Sequence, residues 1–409
     1  MTQETAAPSS QWQVTLWAMV GIQFIMTMSF SMLTPIMPLF LPELGVTRPP
    51  DIDLWSGILN GSTSFVAAFA SLLWGRLADR RGRKLMLLRS SFAIAIFTAL
   101  MGAALNVWQF FAFRALMGAF AGFSASAIAL VASQVPERRL GFALGWLSTG
   151  QLIGSLIGPV IGGGLADATG SYRIPFYCTS AMTLLALLAV WRGLQEHFVP
   201  PQGPRRERSM VGSLKLLMAS AGLLPLFFVL LMAQFGVRTV QPVVTLFVQE
   251  MLGQQPNLAT LSGIAFSITG LADLMASPFL GKRSDIIGYR RVLLICLVGA
   301  TVTTLPQAFV GNYWVFVAER FAVGLFIGGI LPTANALVGR LVSRADRGTV
   351  YGMTASATFL GNSLGPLTGG AVAASIGLRW VFLVTAVMFL ANLIWVYLKV
   401  PEYKEAPEE

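Results

Sequence analysis

Residues 75–84 read GRLADRRGRK, and residues 281–291 read GKRSDIIGYRR. Each segment sets an aspartate and a glycine among basic residues, Asp79 and Gly82 in the first and Asp285 and Gly288 in the second. Glycine permits a tight turn, and a carboxylate in such a turn can pair with arginine or with a helix N-terminus. The two segments therefore predict two equivalent turns between helices, one in each half of the chain.

Long apolar runs surround both turns. Of the 409 residues, 55% are hydrophobic and 11% charged, whereas a soluble domain carries roughly a quarter charged residues. A bilayer core needs roughly 20 helical residues, and the runs are continuous rather than alternating as in a β-barrel. They predict an all-α membrane protein with twelve transmembrane helices, numbered here as spans 1 to 12. The runs without Asp, Glu, Lys or Arg are 5–42, 54–75, 90–113, 115–136, 140–166, 174–191, 216–237, 251–272, 292–318, 321–339, 348–378 and 380–398.

Several functional classes have no support in the composition. The chain has two cysteines, Cys178 and Cys296, and one histidine, His197, so we expect neither a metal site nor a disulfide. It has no Gly-Lys-Ser/Thr phosphate loop and no nucleophile–base constellation, so we expect no cofactor, no ATP hydrolysis and no enzyme activity. The N-terminal stretch has no basic residue before span 1, so we expect span 1 to stay attached.

The basic residues cluster in every second connector between spans, and such clusters mark cytoplasmic loops. If the N-terminus is cytoplasmic, most of the 28 Lys and Arg residues lie on that side, against Arg48, Arg173 and Arg379 on the other. We therefore expect both termini in the cytoplasm. Membrane topology accounts for the net charge of +10, so we predict no binding to nucleic acid.

The chain matches itself when it is shifted by 206 or 207 residues. This repeat predicts two six-helix halves, 1–193 and 213–409, joined by a polar and proline-rich cytoplasmic linker at 194–212. Halves with an even number of helices share one orientation, and a substrate site is expected between them near the middle of the membrane. Matching pairs include Pro35 with Pro242, Ser56-Gly57-Ile58 with Ser262-Gly263-Ile264, Asp79 with Asp285, Arg114 with Arg320, and Gly158-Pro159 with Gly365-Pro366.

Span 5 carries a glycine strip, with Gly154, Gly158 and Gly162 at intervals of four residues. This spacing places small residues on one side of a helix, where another helix can approach closely. Pro159 removes a backbone hydrogen bond and bends the strip.

These motifs resemble those of a known family. The segment 75–84 resembles motif A of the major facilitator superfamily, 105–122 with Arg114 resembles motif B, and 150–163 resembles the motif C of proton-coupled drug antiporters. The resemblance covers nearly the whole chain and implies the twelve-helix drug:proton antiporter branch, an exporter in a bacterial inner membrane. It implies that Asp79 caps the cytoplasmic start of span 11 in the outward-open state and that Asp285 does the same toward span 5. It also implies that span 5 faces the other half, where the bend and the close contact of its glycine strip would seal one side of the central cavity. The predicted gate residues are Gly75, Asp79, Gly82, Arg83, Asp285, Gly154, Gly158, Pro159 and Gly162.

Five ionisable residues lie inside predicted spans: Arg114, Arg238, Asp273, Glu319 and Arg320. A charge in the hydrocarbon region costs roughly 3 kcal/mol or more, so these residues are candidates for proton coupling. The two acids break the repeat symmetry, and the proton affinity of a carboxylate depends on its burial and on neighbouring charges. Acidic residues on span 10 serve as proton or cation sites in similar exporters, which favours Glu319. Asp273 is equally compatible with a static salt bridge or with a position at the lipid edge near the cytosol, and Arg238 could neutralise either acid.

The predicted substrate cavity is mostly uncharged, since Met and aromatic side chains offer an adaptable apolar surface. The acids near the outer surface, Glu43, Asp167 and Glu250, are expected to be solvated. We expect a monomer whose partners are a small-molecule substrate, protons and membrane lipid. The candidate cavity residues are Gln23, Met26, Phe30, Met37, Asn60 and Gln151.

The sequence predicts a secondary active exporter of lipophilic small molecules that works in exchange for protons. An exporter dedicated to one metabolite, sugar or lipid-like compound is the nearest alternative. A membrane sensor that does not transport is a third possibility, although both motif A acids are present. The three arginines and two acids inside the spans do not indicate a preference for cationic drugs.

Overall fold

The computed structural model describes residues 11–194, 196, 222–342, 347–400 and 402. Within these ranges the side chains of residues 11, 72, 75, 76, 79, 137, 347–349 and 351 are outside the description. The predicted linker lies outside the described residues except for Leu194 and Glu196, and so does His197. For the predicted gate residues Gly75 and Asp79, the description extends to the backbone alone.

The described residues form α-helices joined by short turns and by 3₁₀ segments, with no β-strand among them, as the apolar runs predict. The 3₁₀ segments are Leu41–Leu44, Glu137–Arg139 and Leu305–Ala308. The α-helices are α1 (Gln11–Ser31), α2 (Ile36–Phe40), α3 (Pro49–Arg81), α4 (Arg83–Gly102), α5 (Val107–Ala119), α6 (Phe123–Gln134), α7 (Leu140–Thr169), α8 (Ile174–Gly193), α9 (Leu223–Thr239), α10 (Val244–Leu252), α11 (Leu258–Ile287), α12 (Tyr289–Thr304), α13 (Tyr313–Leu341), α14 (Arg347–Ile376) and α15 (Leu378–Lys399).

Ten helical stretches in the described part of the chain are long and apolar enough to cross a membrane. They are α1, α4, α5 with α6, α7, α8, α9 with α10, α11, α12 with the 3₁₀ segment after it, α13 and α15. The helices α3 and α14 have 33 and 30 residues, which also exceeds the roughly 20 residues that a bilayer core requires. These two helices correspond to predicted spans 2 and 11.

Three of the predicted spans are broken rather than continuous. Span 1 consists of α1 and α2, and Pro35 precedes α2. Span 7 consists of α9 and α10, with Pro242 between them. Proline has no backbone N–H to donate within a helix, which explains both breaks. Span 4 is interrupted at Gly122, whose φ of +120° favours glycine.

The glycine strip of α7 packs against α1. A Cβ built at Gly154 would lie 2.6 Å from the carbonyl oxygen of Phe24, and one at Gly158 would lie 2.5 Å from that of Met28. One at Gly162 would collide with the Met32 carbonyl. The strip therefore brings together two helices of the first half. The expectation that these three glycines contact the other half is wrong, because the opposing surface is the backbone of α1.

The same arrangement recurs between α14 and α9. Gly361, Gly365 and Gly369 take the places of the three glycines of α7. A Cβ at Gly365 would lie 2.7 Å from the carbonyl oxygen of Phe235, and one at Gly369 would collide with that of Thr239. Two helix pairs, 207 residues apart, therefore depend on glycine in the same way.

Two arginines tie the ends of three helices together at equivalent places. Arg173 donates Nε to Glu43 at 3.2 Å and Nη1 to the carbonyls of Gly102 and Ala104 at 2.8 and 3.0 Å. Arg379 does the same with Glu250 at 3.2 Å and with the carbonyls at 308 and 310. Glu43 and Glu250, expected to be solvated, are thus partly exposed members of ion pairs.

Replacing Gly158 by Ala tests the contact between α7 and α1. The new methyl group meets backbone atoms, which cannot move aside as a flexible side chain can, so we expect a loss of about 1–3 kcal/mol in stability. Gly145→Ala is the matched control, because a Cβ at Gly145 of the same helix meets no atom within 4 Å. The measurement is the thermal unfolding midpoint of each purified variant. Equal midpoints for the two variants would contradict this account of the strip.

Candidate functional site

The two ends of the helical bundle differ in charge. One end, called the basic end here, carries Arg80, Arg81, Arg83 and Lys84 at the junction of α3 and α4, with an equivalent pair of arginines at the start of α12. The other end, called the opposite end, carries Glu43, Asp167 and Glu250. The candidate functional site is the set of contacts between first-half and second-half helices, together with the ionisable residues between the two ends.

Asp167, near the C-terminus of α7, caps the N-terminus of α11. Its carboxylate accepts hydrogen bonds from the backbone N–H of Ala259 at 3.2 Å, from that of Thr260 at 2.7 Å and from the Thr260 hydroxyl at 2.5 Å. Asn257, the first residue of that turn, makes no side-chain capping bond of its own. A carboxylate at a helix N-terminus is stabilised by the unpaired N–H groups and by the helix dipole. Asp167 is therefore a partner of the second half and not the solvated residue expected from the sequence.

Glycine and proline allow α7 and α11 to approach at the same end. A Cβ built at Gly163 would collide with the Ala259 carbonyl, and one at Gly263 would collide with the carbonyl of Pro159. Deeper in the bundle, the Ser267 hydroxyl donates to the Leu156 carbonyl at 2.5 Å. The seal between the halves is thus made by the face of α7 next to the glycine strip.

The contact between α3 and α14 has the same form. A Cβ at Gly57 would lie 2.5 Å from the carbonyl oxygen of Pro366, and one at Gly370 would lie 2.7 Å from that of Asp53. Between the broken spans, the hydroxyl of Thr245 donates to the carbonyl of Pro35 at 3.2 Å. Three pairs of helices therefore close the opposite end.

Toward the basic end, the glycines of α7, α11 and α14 make no such close contacts. A Cβ built at Gly141 or Gly145 of α7, at Gly281 of α11 or at Gly352 of α14 meets no atom within 4 Å. Together with the close contacts described above, this indicates a conformation that is closed at the opposite end and open at the basic end.

At the basic end, a carboxylate holds the turn between α3 and α4. Gly82 has a φ of +90°, which favours glycine, and links the two helices. Glu196 accepts hydrogen bonds from the backbone N–H groups of Arg83 and Lys84 at 2.8 and 2.7 Å. Lys84 in turn donates to the carbonyls of Trp191 and Leu194. The start of the linker is thus attached to the predicted motif A turn, a contact that the sequence did not indicate.

The predicted gate residue Asp285 has a local partner. It accepts a hydrogen bond from the Tyr289 hydroxyl at 2.6 Å. Both residues lie beside Gly288, whose φ of +98° forms the equivalent turn between α11 and α12. In a conformation that is open at the basic end, Asp285 is therefore held within its own half.

Outside the spans, the charges at the opposite end affect one tyrosine. Tyr172 lies in the connector between α7 and α8. Burial, with smaller contributions from Asp167 and Glu43, raises the pKa of its hydroxyl. Burial and the two carboxylates therefore both disfavour ionisation of this tyrosine.

Two of the three arginines within the spans have polar but uncharged partners. Arg114 is buried and donates Nε to the Leu59 carbonyl at 2.7 Å. Arg238 donates to the side-chain oxygens of Asn362 at 3.0 Å and Gln241 at 2.9 Å. The predicted pairing of Arg238 with an acid is not observed, because its guanidinium is already hydrogen-bonded to these two amides.

The two acids within the spans form no ion pair with these arginines among the described side chains. Glu319 is half-buried in the second turn of α13, and its Oε2 is buried without a hydrogen-bond partner in the described part of the protein. Asp273 lies halfway along α11 and packs against Gly328 of α13, where an added Cβ would lie 2.7 Å from its Oδ1. Among the described side chains, no ion pair includes Glu319 or Asp273. A static salt bridge for Asp273, one of the predicted alternatives, is therefore not observed.

Half of the predicted cavity residues are packing residues. Gln23 is buried and donates to the hydroxyls of Ser124 at 2.9 Å and Thr27 at 3.3 Å. Met26 and Met37 are buried in the hydrophobic core, so in this conformation these three side chains do not face a cavity.

The other three predicted cavity residues remain accessible to different extents. Phe30 is 43% exposed, Gln151 is exposed, and Asn60 is half-buried with its amide bonded to the Ser56 carbonyl at 2.9 Å. The structure thus keeps Phe30 and Gln151 as accessible side chains.

The chain matches known proteins over almost its full length. The family model of the Major Facilitator Superfamily matches residues 19–259 and 226–409. The multidrug resistance protein MdtG of Serratia proteamaculans is 40% identical over 375 residues, which cover 91% of this chain and 90% of that protein. MdtG of Yersinia enterocolitica is 39% identical over 396 residues, which cover 96% and 95% of the two chains.

Solved transporter structures share the fold. The nucleoside transporter NupG superposes with a TM-score of 0.77 at 15% identity over 95% of this chain and 99% of that chain. A D-xylose-proton symporter gives a TM-score of 0.73 at 16% identity over 94% and 98% of the two chains. An inward-facing bacterial homologue of the human lysosomal transporter Spinster gives 0.75 at 15% identity over 96% and 98%. The protein therefore belongs to the major facilitator superfamily, which confirms the expectation of a multi-pass membrane transporter rather than an enzyme.

Proposed function

We propose that the protein exports lipophilic small molecules from the cell and that protons drive the export. The observation that carries this proposal is the 40% identity to a multidrug resistance protein over 91% of the chain. Closure at one end and separation at the other are what alternating access requires of a central site. Phe30, which the sequence predicts to line that site, is exposed, and its aromatic side chain would offer varied ligands an apolar surface.

We infer that the chain crosses a bacterial inner membrane twelve times, with both termini in the cytoplasm. Ten apolar helical stretches and the two further long helices, α3 and α14, support the number. The two six-helix halves, 1–193 and 213–409, are supported by the paired arginine ties and by the paired glycine strips. On this topology the basic end is cytoplasmic, so the described conformation is inward-open.

We infer that Glu319 carries the coupling proton. A carboxylate within the membrane and without an ionic partner can take up a proton when its surroundings are dry and release it when water enters. Glu319 meets this condition, since its Oε2 is buried and unpartnered among the described residues. Asp273 is a second candidate, and Arg114, Arg238 and Arg320 supply the positive charge nearby in the same membrane region.

The proton requirement is tested in inverted membrane vesicles. Vesicles with an acid interior and no ATP are expected to accumulate a lipophilic dye, because proton efflux from the interior drives dye uptake. A proton-conducting uncoupler should abolish this accumulation. Uptake that needs ATP and ignores the uncoupler would exclude the antiport mechanism.

The role of Glu319 is tested with Glu319→Gln, whose amide resembles a permanently protonated acid. We expect loss of uphill export, while binding and downhill exchange of substrate persist. Asp273→Asn is the matched control and should retain concentrative export in part. If Glu319→Gln pumps as well as the parent and Asp273→Asn cannot, the coupling site is Asp273.

The cap made by Asp167 is expected to stabilise the inward-open state. Asp167→Asn removes a charge that accepts three hydrogen bonds across the two halves. Because hydrogen bonds to a charged group contribute about 1.5–3 kcal/mol, the equilibrium should shift about tenfold or more toward the outward-open state. The measurement is thiol labelling of a cysteine placed in the cavity.

Glu43→Gln is the control for that measurement, because Glu43 lies at the same end but pairs with Arg173 within the first half. An exposed ion pair of this kind contributes little, so labelling should not change. Asp79→Asn, which by family resemblance weakens the outward-open state, should shift labelling in the other direction. Identical labelling of the parent and of Asp167→Asn would contradict the expectation that the Asp167 cap stabilises the inward-open state.

A further inference from the structure

A small cavity with both apolar and polar lining residues lies in the second half of the protein, between α9, α11, α12, α13 and α15. Its volume is about 40 Å³, and its lining includes Thr304, Gln307, Arg320 and Thr385. The lining also includes apolar residues such as Val323 of α13 and Phe389 of α15. Without the cavity, α9, α13 and α15 would pack directly on one another through these residues. We call it the Arg320 cavity.

Four polar atoms of the lining are buried without a hydrogen-bond partner. They are Oγ1 of Thr304, Oε1 of Gln307, Nε of Arg320 and Oγ1 of Thr385. The two threonines and the glutamine are 2%, 1% and 1% exposed, so bulk solvent does not reach them. Leaving one such group unsatisfied costs roughly 1–3 kcal/mol, and this cavity gathers four. A guest that both donates and accepts hydrogen bonds would satisfy all of them.

The behaviour of Thr304 contrasts with that of its neighbours on α12. Thr301 and Thr303 each donate their hydroxyl to the carbonyl one turn earlier, at 2.7 Å. This is the usual way in which a threonine inside a membrane helix is satisfied. Thr304 makes no such bond, so its hydroxyl is available to the cavity.

The repeat explains why the cavity exists in one half. The positions of Gln307 and Val323 correspond to Met101 and Met117 in the first half, where both methionines are buried. Two long apolar side chains therefore fill the space that an amide and a shorter side chain leave open in the second half. The hydroxyl of Thr98, the counterpart of Thr304, lies 3.9 Å from the Met117 sulfur.

The polar groups of the first half have protein partners instead. Arg114, the counterpart of Arg320, donates Nε to the Leu59 carbonyl at 2.7 Å. Thr179, the counterpart of Thr385, donates its hydroxyl to the Ser29 carbonyl at 3.0 Å. Arg114 and Thr179 thus donate to backbone carbonyls in the first half. The identical residues at the equivalent positions of the second half, Arg320 and Thr385, face a cavity instead.

We propose that the Arg320 cavity is an internal water-binding site that hydrates Arg320 within the membrane. One water needs about 10–15 Å³ of such space and two to four polar partners, and the cavity offers more than enough of both. Water suits the mixture of groups better than an anion does, because Oε1 of Gln307 is an acceptor and would repel an anion. The Nε–H of Arg320 and one of the two hydroxyls donate to the water, which in turn donates to Oε1 of Gln307 and to the oxygen of the other hydroxyl.

The bound water gives the two equivalent arginines different surroundings. Arg114 is fixed by a backbone carbonyl of α3, so it is part of a rigid contact between two helices. Arg320 is held by a guest that can rearrange, so its guanidinium can change position without breaking a bond between helices. The water site therefore makes the second half the more adaptable of the two around its arginine.

The test uses Thr385→Val, which removes the hydroxyl while keeping the shape of the side chain. If water is bound, the variant loses a hydrogen bond and its Tm should fall by about 2 °C or more. Thr179→Val is the matched control, because it removes the equivalent hydroxyl from a direct bond to protein and should also lower Tm. In a dry cavity the hydroxyl of Thr385 is unsatisfied, so its removal would raise Tm while Thr179→Val lowers it, and that result would overturn the proposal.

A density map of the full-length protein at about 2 Å resolution gives a second, direct readout. Ordered density within hydrogen-bond distance of Nε of Arg320 is expected in the parent and should be absent in Val323→Met, which restores the first-half side chain. A parent map without such density would overturn the proposal. Tm should be the same in chloride and in gluconate; a chloride-dependent Tm that Thr385→Val abolishes would identify an anion and overturn the assignment to water.

Discussion

The close approach of helix backbones at glycine is the interaction on which the rest of this structure depends. In a bilayer the lipid chains are as apolar as the side chains, so helices associate through packing and hydrogen bonds rather than through hydrophobic burial. Glycine at 154, 158 and 162 brings α7 onto α1, and its counterparts bring α14 onto α9. Because added methyl groups would meet carbonyl oxygens at these positions, a larger residue there is expected to weaken the two contacts.

A second face of α7 uses the same property for a different contact. Pro159, Gly163 and Asp167 are spaced by four residues, so they lie on one side of the helix, next to the strip that faces α1. Along this side the chain presents first the carbonyl of Pro159, against which Gly263 packs, then a gap at Gly163 that admits the α11 backbone, and finally the carboxylate of Asp167, which caps α11. The strip toward α1 joins helices of one half, whereas this side joins the two halves. In the proposed transport cycle the first contact persists and the second must open, and only the second includes a charge.

The sequence predicted the helices well, but it did not predict which helices would contact one another. Apolar runs predicted the helices, and the repeat predicted that contacts would recur, because both depend on local composition and on spacing. The helix that a given face contacts depends on the arrangement of all the helices, which explains why the glycine strip was assigned to the wrong neighbour and Asp167 to solvent. Gln23 was predicted to line the cavity because it is polar within a membrane span, yet it is buried and its amide nitrogen donates to a hydroxyl on α6.

The contacts that recur in both halves hold the helices in place, whereas the two acids proposed for proton coupling occur where the halves differ. The arginine ties, the glycine strips and the glycine–proline contacts recur with the same atoms, and none of them needs a titratable group inside the membrane. Asp273 and Glu319 have Ala67 and Phe113 as their counterparts, so both acids belong to the second half. The Arg320 cavity belongs to the same half, because Gln307 and Val323 replaced two methionines. In the proposed mechanism a proton therefore enters and leaves the second half, and the first half acts on it through the contacts of α7 and α3 that open and close around it.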